Sequence, residues 1–224
     1  MTQRRNRLKI AEILASPKLD SETVIMGWVR TRRESKAGLA FVEINDGSCF
    51  DNLQAVVAQS WPNYADIIPH LYAGTSVSVR GRLVASQGGK QAVELQVESL
   101  EILGESDPAH YPIGKQKMSY EYLRDYTHLR PRTNTFGALA RVRDVLAQAV
   151  HEFFHQRKFI WVHTPLITAN DAEGAGKAFQ VTTLDLAALG KSLAAPGGDL
   201  KSRQPDFSKD FFGKPVNLTV SGQL

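Results

Sequence analysis

Two stretches with strict period-2 alternation constrain this chain more than any other feature. In TSVSVRGRLVAS (75–86), Val77, Val79, Gly81 and Leu83 fall on one side and Ser76, Ser78, Arg80 and Arg82 on the other. In QAVELQVESLEIL (91–103), Val93, Leu95 and Val97 oppose Glu94, Gln96 and Glu98. Successive side chains of a strand point to opposite faces, so this pattern predicts half-buried antiparallel strands rather than helices. Upstream, TVIMGWVRTRR (23–33), LAFVEIND (39–46) and NLQAVVAQ (52–59) are short apolar runs punctuated by Gly, Asp and Asn turn signals.

WPNYADIIPHLYAG (61–74) interrupts the strand pattern with a short helix or turn. Three strands, a short helix and a closing hairpin are the order of an oligonucleotide/oligosaccharide-binding (OB) barrel of five strands. Residues 1–105 are therefore expected to be that barrel, and 106–135, with Pro108, Pro112 and Pro131, a linker with a short helix near 119–127. Residues 136–224 are expected to form a second domain. It opens on a helix from about Phe136 to Arg157, whose apolar face (Val142, Val145, Leu146, Ala149, Phe153) should pack on the fold's core. FIWVHTPLIT reads as a strand-like run broken at Pro165, 187–209 as a polar, exposed insertion, and NLTVSGQL as a strand. The fold class is thus α+β. The chain stops in an apolar strand pattern, which predicts a fragment of a longer protein.

Charge gives little direction. The +4 net charge comes entirely from residues 106–224, with 15 Lys+Arg against 11 Asp+Glu, while residues 1–105 balance at 12 against 12. Basic residues do cluster locally, at RRNRLK (4–9) and RTRRESK (30–36). Cys49, the sole cysteine, can form no internal disulfide, in keeping with a reducing compartment. No apolar run approaches the roughly 20 residues of a membrane span.

Several motifs suggest catalysis and fail on inspection. HEFFH (151–155) matches the H-E-x-x-H zinc signature. With about 100° per residue and Val142 at zero, His151 falls near 180° and His155 near 220°, opposite the apolar stripe. No third ligand stands at a recognisable spacing, so no metal site is expected. Gly176-Lys177 and Gly190-Lys191-Ser192 lack the first glycine of a phosphate loop, having Asp171 and Asp185 there.

The barrel surface offers a better site. If Val42 and Ile44 point inward, Phe41 and Glu43 point outward beside Arg30, Arg32 and Arg33. An exposed aromatic among arginines makes a base-stacking platform with phosphate-binding neighbours, and Gln54 on the next strand can bond a base edge. On spacing alone the other reading is equally open: Phe41 caps the barrel and the arginines are merely solvated.

GWVRTRRE, AFVEINDG, NLQAVV, EYLRDYTHLRPRTN, ARVRDVLAQAVHEFF, WVHTPLITANDAEGAGKAFQVTTLD and DFFGKPVNLTVSGQL together resemble asparaginyl-tRNA synthetases of the bacterial type. The resemblance runs over nearly the whole chain and is weakest at 60–75 and 187–205. It implies an anticodon-binding barrel followed by the start of a class II antiparallel-sheet catalytic domain. The implied activity is ATP-dependent formation of asparaginyl-adenylate and transfer to tRNA(Asn), with ATP and Mg2+, in a cytoplasmic homodimer. Arg33, Phe41 and Gln54 then match anticodon readers, Phe41 stacking on the middle base. Pro165 matches the motif 1 proline of the dimer interface. Glu173 in the EGAG loop would pair with the substrate ammonium, and Ser221 and Gln223 would floor the asparagine pocket. The family's ATP-gripping arginines, in its motifs 2 and 3, are expected beyond Leu224. No catalytic residue is therefore assigned within the chain, which alone is not expected to form adenylate. Two alternatives accompany this reading: an inert tRNA-binding and dimerisation module, and an aspartyl-type synthetase, against which VSGQL and the EGAG loop argue.

Overall fold

The computed structural model describes residues 7–89, 91–114, 118–170, 178–194 and 205–222. The chain divides into two compact units, residues 1–148 and 149–224.

In the first unit, β1 (Glu22–Ser35), β2 (Leu39–Asn45), β3 (Leu53–Ala58), β4 (Ser76–Ala85) and β5 (Val93–Gly104) form a closed barrel in the order β1-β2-β3-β5-β4. β1 also pairs with β4, which completes the ring, and only the β3–β5 ladder is parallel. The alternation read from the sequence is realised directly. Val77, Val79, Leu83, Val93 and Leu95 line the core with Ile25, Val29, Val42, Ile44, Leu53 and Val57. Gly81 lies where β5 crosses close: a Cβ there would come within 2.0 Å of the Gln96 carbonyl oxygen.

α1 (Ile10–Ala15) was not foreseen from the sequence. It buries Ile10 and Ile13 in the barrel core, and its first N–H groups are capped from far along the chain. Asp46 Oδ2 accepts from Ile10 N at 3.0 Å, and Ser48 Oγ from Ala11 N at 3.0 Å. Partial burial pushes the Asp46 carboxyl up, but bonds from the Ser48 hydroxyl and the Ile10 and Ser48 amides outweigh it, and the net direction is down. The expected break between β3 and β4 is α2 (Tyr64–Ile67), continued by a 3-10 turn at Ile68–His70. Ile68 and Leu71 from this stretch enter the core.

The following segment carries α3 (Tyr120–Asp125), capped by Ser119 Oγ accepting from Tyr122 N at 3.2 Å. It also packs on the barrel. Ser106 Oγ donates to Ala73 O at 2.8 Å, and the Tyr111 ring fills the space where Gly74, at φ +91°, has no side chain.

α4 spans Asn134–Gln156, two residues earlier at its start than expected. Its apolar stripe does not pack as expected: Val142, Val145, Leu146 and Phe153 are all about half exposed or more, and Gly137 is the helix's buried residue. Periodicity shows which residues share the apolar face, not what that face packs against.

In the second unit, β6 (Ile167–Thr168), β8 (Val216–Leu218) and β7 (Gln180–Val181) make a small antiparallel sheet in the order β6-β8-β7. The apolar run before Pro165 is not a strand. Residues 159–165 join no ladder among the described strands, Leu166 O accepts from Thr219 N only where β6 begins, and Ile160 is 87% exposed. The exposed insertion expected at 187–209 opens on a helix, α5 (Leu186–Ala194), and residues 195–204 lie outside the described residues.

Candidate nucleic-acid interface

The outer face of β1, β2 and β3 is ordered by strand register. Arg33 lies opposite Phe41, and Thr31 opposite Glu43, which in turn lies opposite Gln54. Phe41 and Glu43 are part-exposed, while Val42 and Ile44 are fully buried, so the strand presents the expected face. The Arg33 guanidinium sits over the Phe41 ring, 4.7 Å from its centroid, and donates from Nη2 to Gln54 Oε1 at 3.1 Å. The structure thus brings the three barrel residues singled out by sequence into one contact group.

That group continues further. Gln54 Nε2 donates to Glu94 Oε2 at 3.4 Å, and Ser86 Oγ to the same oxygen at 3.0 Å. Gln54 and Glu94 are 8% and 7% exposed. Glu94 was assigned only to a solvent-side position by its alternation. The signal that could have found it is the parallel β3–β5 ladder, where Ala55 pairs with Leu95 and so sets Gln54 beside Glu94. Thr31, Arg33, Glu43, Asn52, Gln54 and Ser86 are among the residues that line an open cavity of about 850 Å³. Phe41 does not line this cavity, but its partners Arg33 and Gln54 do; a flat ring held by a guanidinium beside polar groups on an open cavity can stack a base and bond its edge.

A second cleft, about 540 Å³, lies within the same unit and shares Asn52 with the first. Arg132 stacks on Trp28 at 4.4 Å and donates from Nη1 to the Tyr111 hydroxyl at 3.1 Å; its carbonyl accepts from Arg30 Nη1 at 3.0 Å. Arg141 stacks on Phe50 at 4.4 Å and donates from Nη2 to the Gly47 carbonyl at 2.7 Å. The buried Trp28 Nε1–H has no acceptor among the described residues, a deficit of roughly 1–3 kcal/mol.

Of the residues matched to the asparagine pocket, Ser221 is described and lies part-buried beyond β8, its carbonyl accepting from Thr219 Oγ1 at 2.5 Å. Glu173 and Gln223 lie outside the described residues. Pro165 is exposed, on the segment whose Leu166 carbonyl accepts from Thr219 N at 2.9 Å. The His151 ring meets the Trp161 ring at 4.5 Å, and Phe153, expected in the core, instead carries the Arg157 guanidinium 3.6 Å above its ring. Asp210 is an unforeseen anchor, 7% exposed. The Thr182 and Thr183 hydroxyls donate to it at 2.6 Å each, and the Thr183 and Phe211 amides at 2.8 Å. These bonds hold its carboxyl far below the usual carboxylate range.

Comparison with known proteins bears on both units. Residues 23–103 match the OB-fold nucleic acid binding domain, and residues 119–193 match the class II tRNA synthetases (D, K and N). The chain is 51% identical over 216 residues to an asparagine–tRNA ligase from a Nostoc strain, covering 96% of the chain and 45% of that protein. To the asparagine–tRNA ligase of Serratia proteamaculans it is 54% identical over 207 residues, covering 92% and 43%. The chain therefore spans less than half the length of these relatives. Among solved structures, asparaginyl-tRNA synthetase from Pyrococcus horikoshii, complexed with asparaginyl-adenylate, superposes with a TM-score of 0.71 at 23% identity. That match covers 97% of this chain and 43% of the other, and shows the shared fold.

Proposed function

From a chain that belongs to the asparagine–tRNA ligase family, we infer the anticodon-reading barrel and the opening elements of the catalytic domain of an enzyme that charges tRNA(Asn) with asparagine. The whole enzyme activates asparagine with ATP and Mg2+ as asparaginyl-adenylate and passes it to the tRNA. The observation that carries this reading is 51–54% identity to asparagine–tRNA ligases over more than nine-tenths of the chain. Within it, residues 1–105 serve as the anticodon domain, 106–135 as the hinge and 136–224 as the first part of the catalytic domain.

On the barrel, Phe41 offers its ring to an anticodon base. Arg33 holds the ring's back and the Gln54 carboxamide together, and Gln54 reads a base edge. In the second unit, Glu173 takes the substrate ammonium, and Ser221 and Gln223 face the side-chain carboxamide, where a cation would be needed for aspartate instead. Pro165 belongs to a homodimer contact, and the enzyme works in the cytoplasm. Among the described residues no helix is long and apolar enough to cross a membrane.

The test is binding of an anticodon stem–loop hairpin of tRNA(Asn) to the chain. Phe41→Ala should weaken it by about 1–3 kcal/mol, the worth of one base stack, and flatten discrimination among hairpins altered at the middle anticodon base. Unchanged affinity and discrimination would remove the stacking assignment.

A further inference from the structure

The barrel's reading face does not end at Phe41. The pairing of β1 with β2 shifts between Val29 and Thr31, so Arg30 is an extra residue in the ladder. A bulge of this kind re-aims the strand. On one side of it Thr31 and Arg33 lie opposite the part-exposed Glu43 and Phe41, and on the other Trp28 lies opposite Asn45. Arg30 and Arg33 stand three residues apart, about 10 Å along a strand. The two cavities meet at Asn52, the first holding Arg33 and Gln54 and the second Trp28, Arg30, Arg132 and Arg141.

We propose that the second cleft is a backbone-reading site for the same RNA, in which Arg30, Arg132 and Arg141 take sugar–phosphate groups that continue from the base held at Phe41. The inference rests on the barrel being an RNA-binding surface. Three arginines converge there against one acidic residue of the lining, Asp144. Arg132 and Arg141 are laid flat on Trp28 and Phe50, each with one terminal nitrogen bonded to the protein. A guanidinium has five N–H donors, so each retains others for an outside acceptor while its plane is already fixed. A polyanionic backbone supplies acceptors and charge together, and contacts to it position an RNA without reading its sequence.

The experiment measures binding of the 224-residue chain to the anticodon hairpin and to a single-stranded oligonucleotide of the loop alone, across a range of salt concentrations. Each phosphate contact adds about 0.7–0.9 to the slope of log affinity against log salt. Arg141→Gln should lower that slope by about this amount for the hairpin and for the loop oligonucleotide alike, equally for every anticodon sequence. Arg141→Lys should keep most of the slope. Asp144→Asn should change affinity in the opposite sense and tighten the hairpin. That sign is one a loss of packing would not give, and it decides the matter if Arg141→Gln fails to fold. An unchanged slope in Arg141→Gln, or weaker or equal binding in Asp144→Asn, overturns the proposal. Titration with inorganic phosphate alone separates the other source of the same chemistry. If phosphate fills the cleft without competing with the hairpin, the cleft is a small-oxyanion site and the RNA assignment is wrong. A hairpin that does not bind the wild-type chain at all defeats the anticodon reading as well. A hairpin that responds to Phe41→Ala but not to the cleft variants defeats only this inference.

Discussion

At Gln54 the carboxamide has no freedom to choose its orientation. Arg33 can only donate and the Glu94 carboxylate can only accept, so Oε1 must face the arginine and Nε2 the glutamate, as found. A base edge meeting Gln54 therefore meets one fixed pattern of donor and acceptor, with one N–H and one lone pair still to offer. Type and spacing made Phe41, Arg33 and Gln54 visible in the sequence. Glu94 was hidden because alternation reports which side a residue takes and not which strand lies next to it. Asp210 was hidden for a related reason: its partners, Thr182 and Thr183, are nearly thirty residues away. Its titration is nonetheless predictable. The carboxyl is depressed in the folded state by the Thr182 and Thr183 hydroxyl bonds and then the amides. The stabilisation is therefore complete above the ordinary Asp value of about 3.9 and erodes as pH falls from there toward the lower folded value. The protection factor of the Thr183 amide, corrected for intrinsic exchange, should be flat from neutral pH down to about 4 and decline below it. In Asp210→Asn that protection should already be reduced at neutral pH, and its acid decline should vanish. A decline of equal size in both proteins would locate the acid sensitivity elsewhere.

Among elements, the five strands were legible because β4 and β5 carry a period-2 pattern and β1, β2 and β3 are short apolar runs bounded by turn residues, all properties of local sequence. α1 was not. Six residues are far below the length at which an isolated helix is stable in water, so nothing local announces it. It exists because Asp46 and Ser48 cap it and because Ile10 and Ile13 fill the barrel core. The run at 159–166 fails in the opposite direction. Its residues suit a strand, but a strand needs a partner, and among the described residues the pairing starts only at Leu166, whose carbonyl accepts from Thr219 N, and continues into β6. These two cases give tertiary context the deciding role wherever an element is short. If α1 is truly part of the core, Ile13→Ala should cost the first unit about 2–5 kcal/mol, the usual range for truncating a buried aliphatic side chain. Denaturant unfolding should show a lower midpoint with an unchanged slope. A loss of only a few tenths of a kcal/mol would mean that α1 merely lies against the barrel.

Across the whole molecule, the largest discrepancy between sequence pattern and packing is apolar exposure. Leu139, Val142, Leu146, Val150 and Phe153 recur along α4 at helical spacing, and each is 49–59% exposed. Phe159, Ile160, Trp161 and Val162 are 60–87% exposed. Soluble chains rarely leave contiguous apolar surface beyond a few hundred Å² bare, and larger patches mark contacts with other protein. The helical wheel located the apolar stripe, because period follows from geometry, but its expected packing on the fold's core is not found, and the wheel holds no information about a covering surface. In the homodimer proposed for this family member the stripe has a natural partner, its own copy, and a stable contact would need about 1,200–2,000 Å² in total. Leu146 is the position to probe, since at 59% exposure its replacement disturbs little within one chain. The wild-type chain should sediment with a weight-average mass that rises with concentration in the micromolar range, and Leu146→Glu should hold it at the monomer mass with its thermal unfolding unchanged at low concentration. If Leu146→Glu associates as the wild type does, α4 is not the contact. If the wild-type chain stays monomeric throughout, the cover for this stripe comes from residues other than those of a second copy.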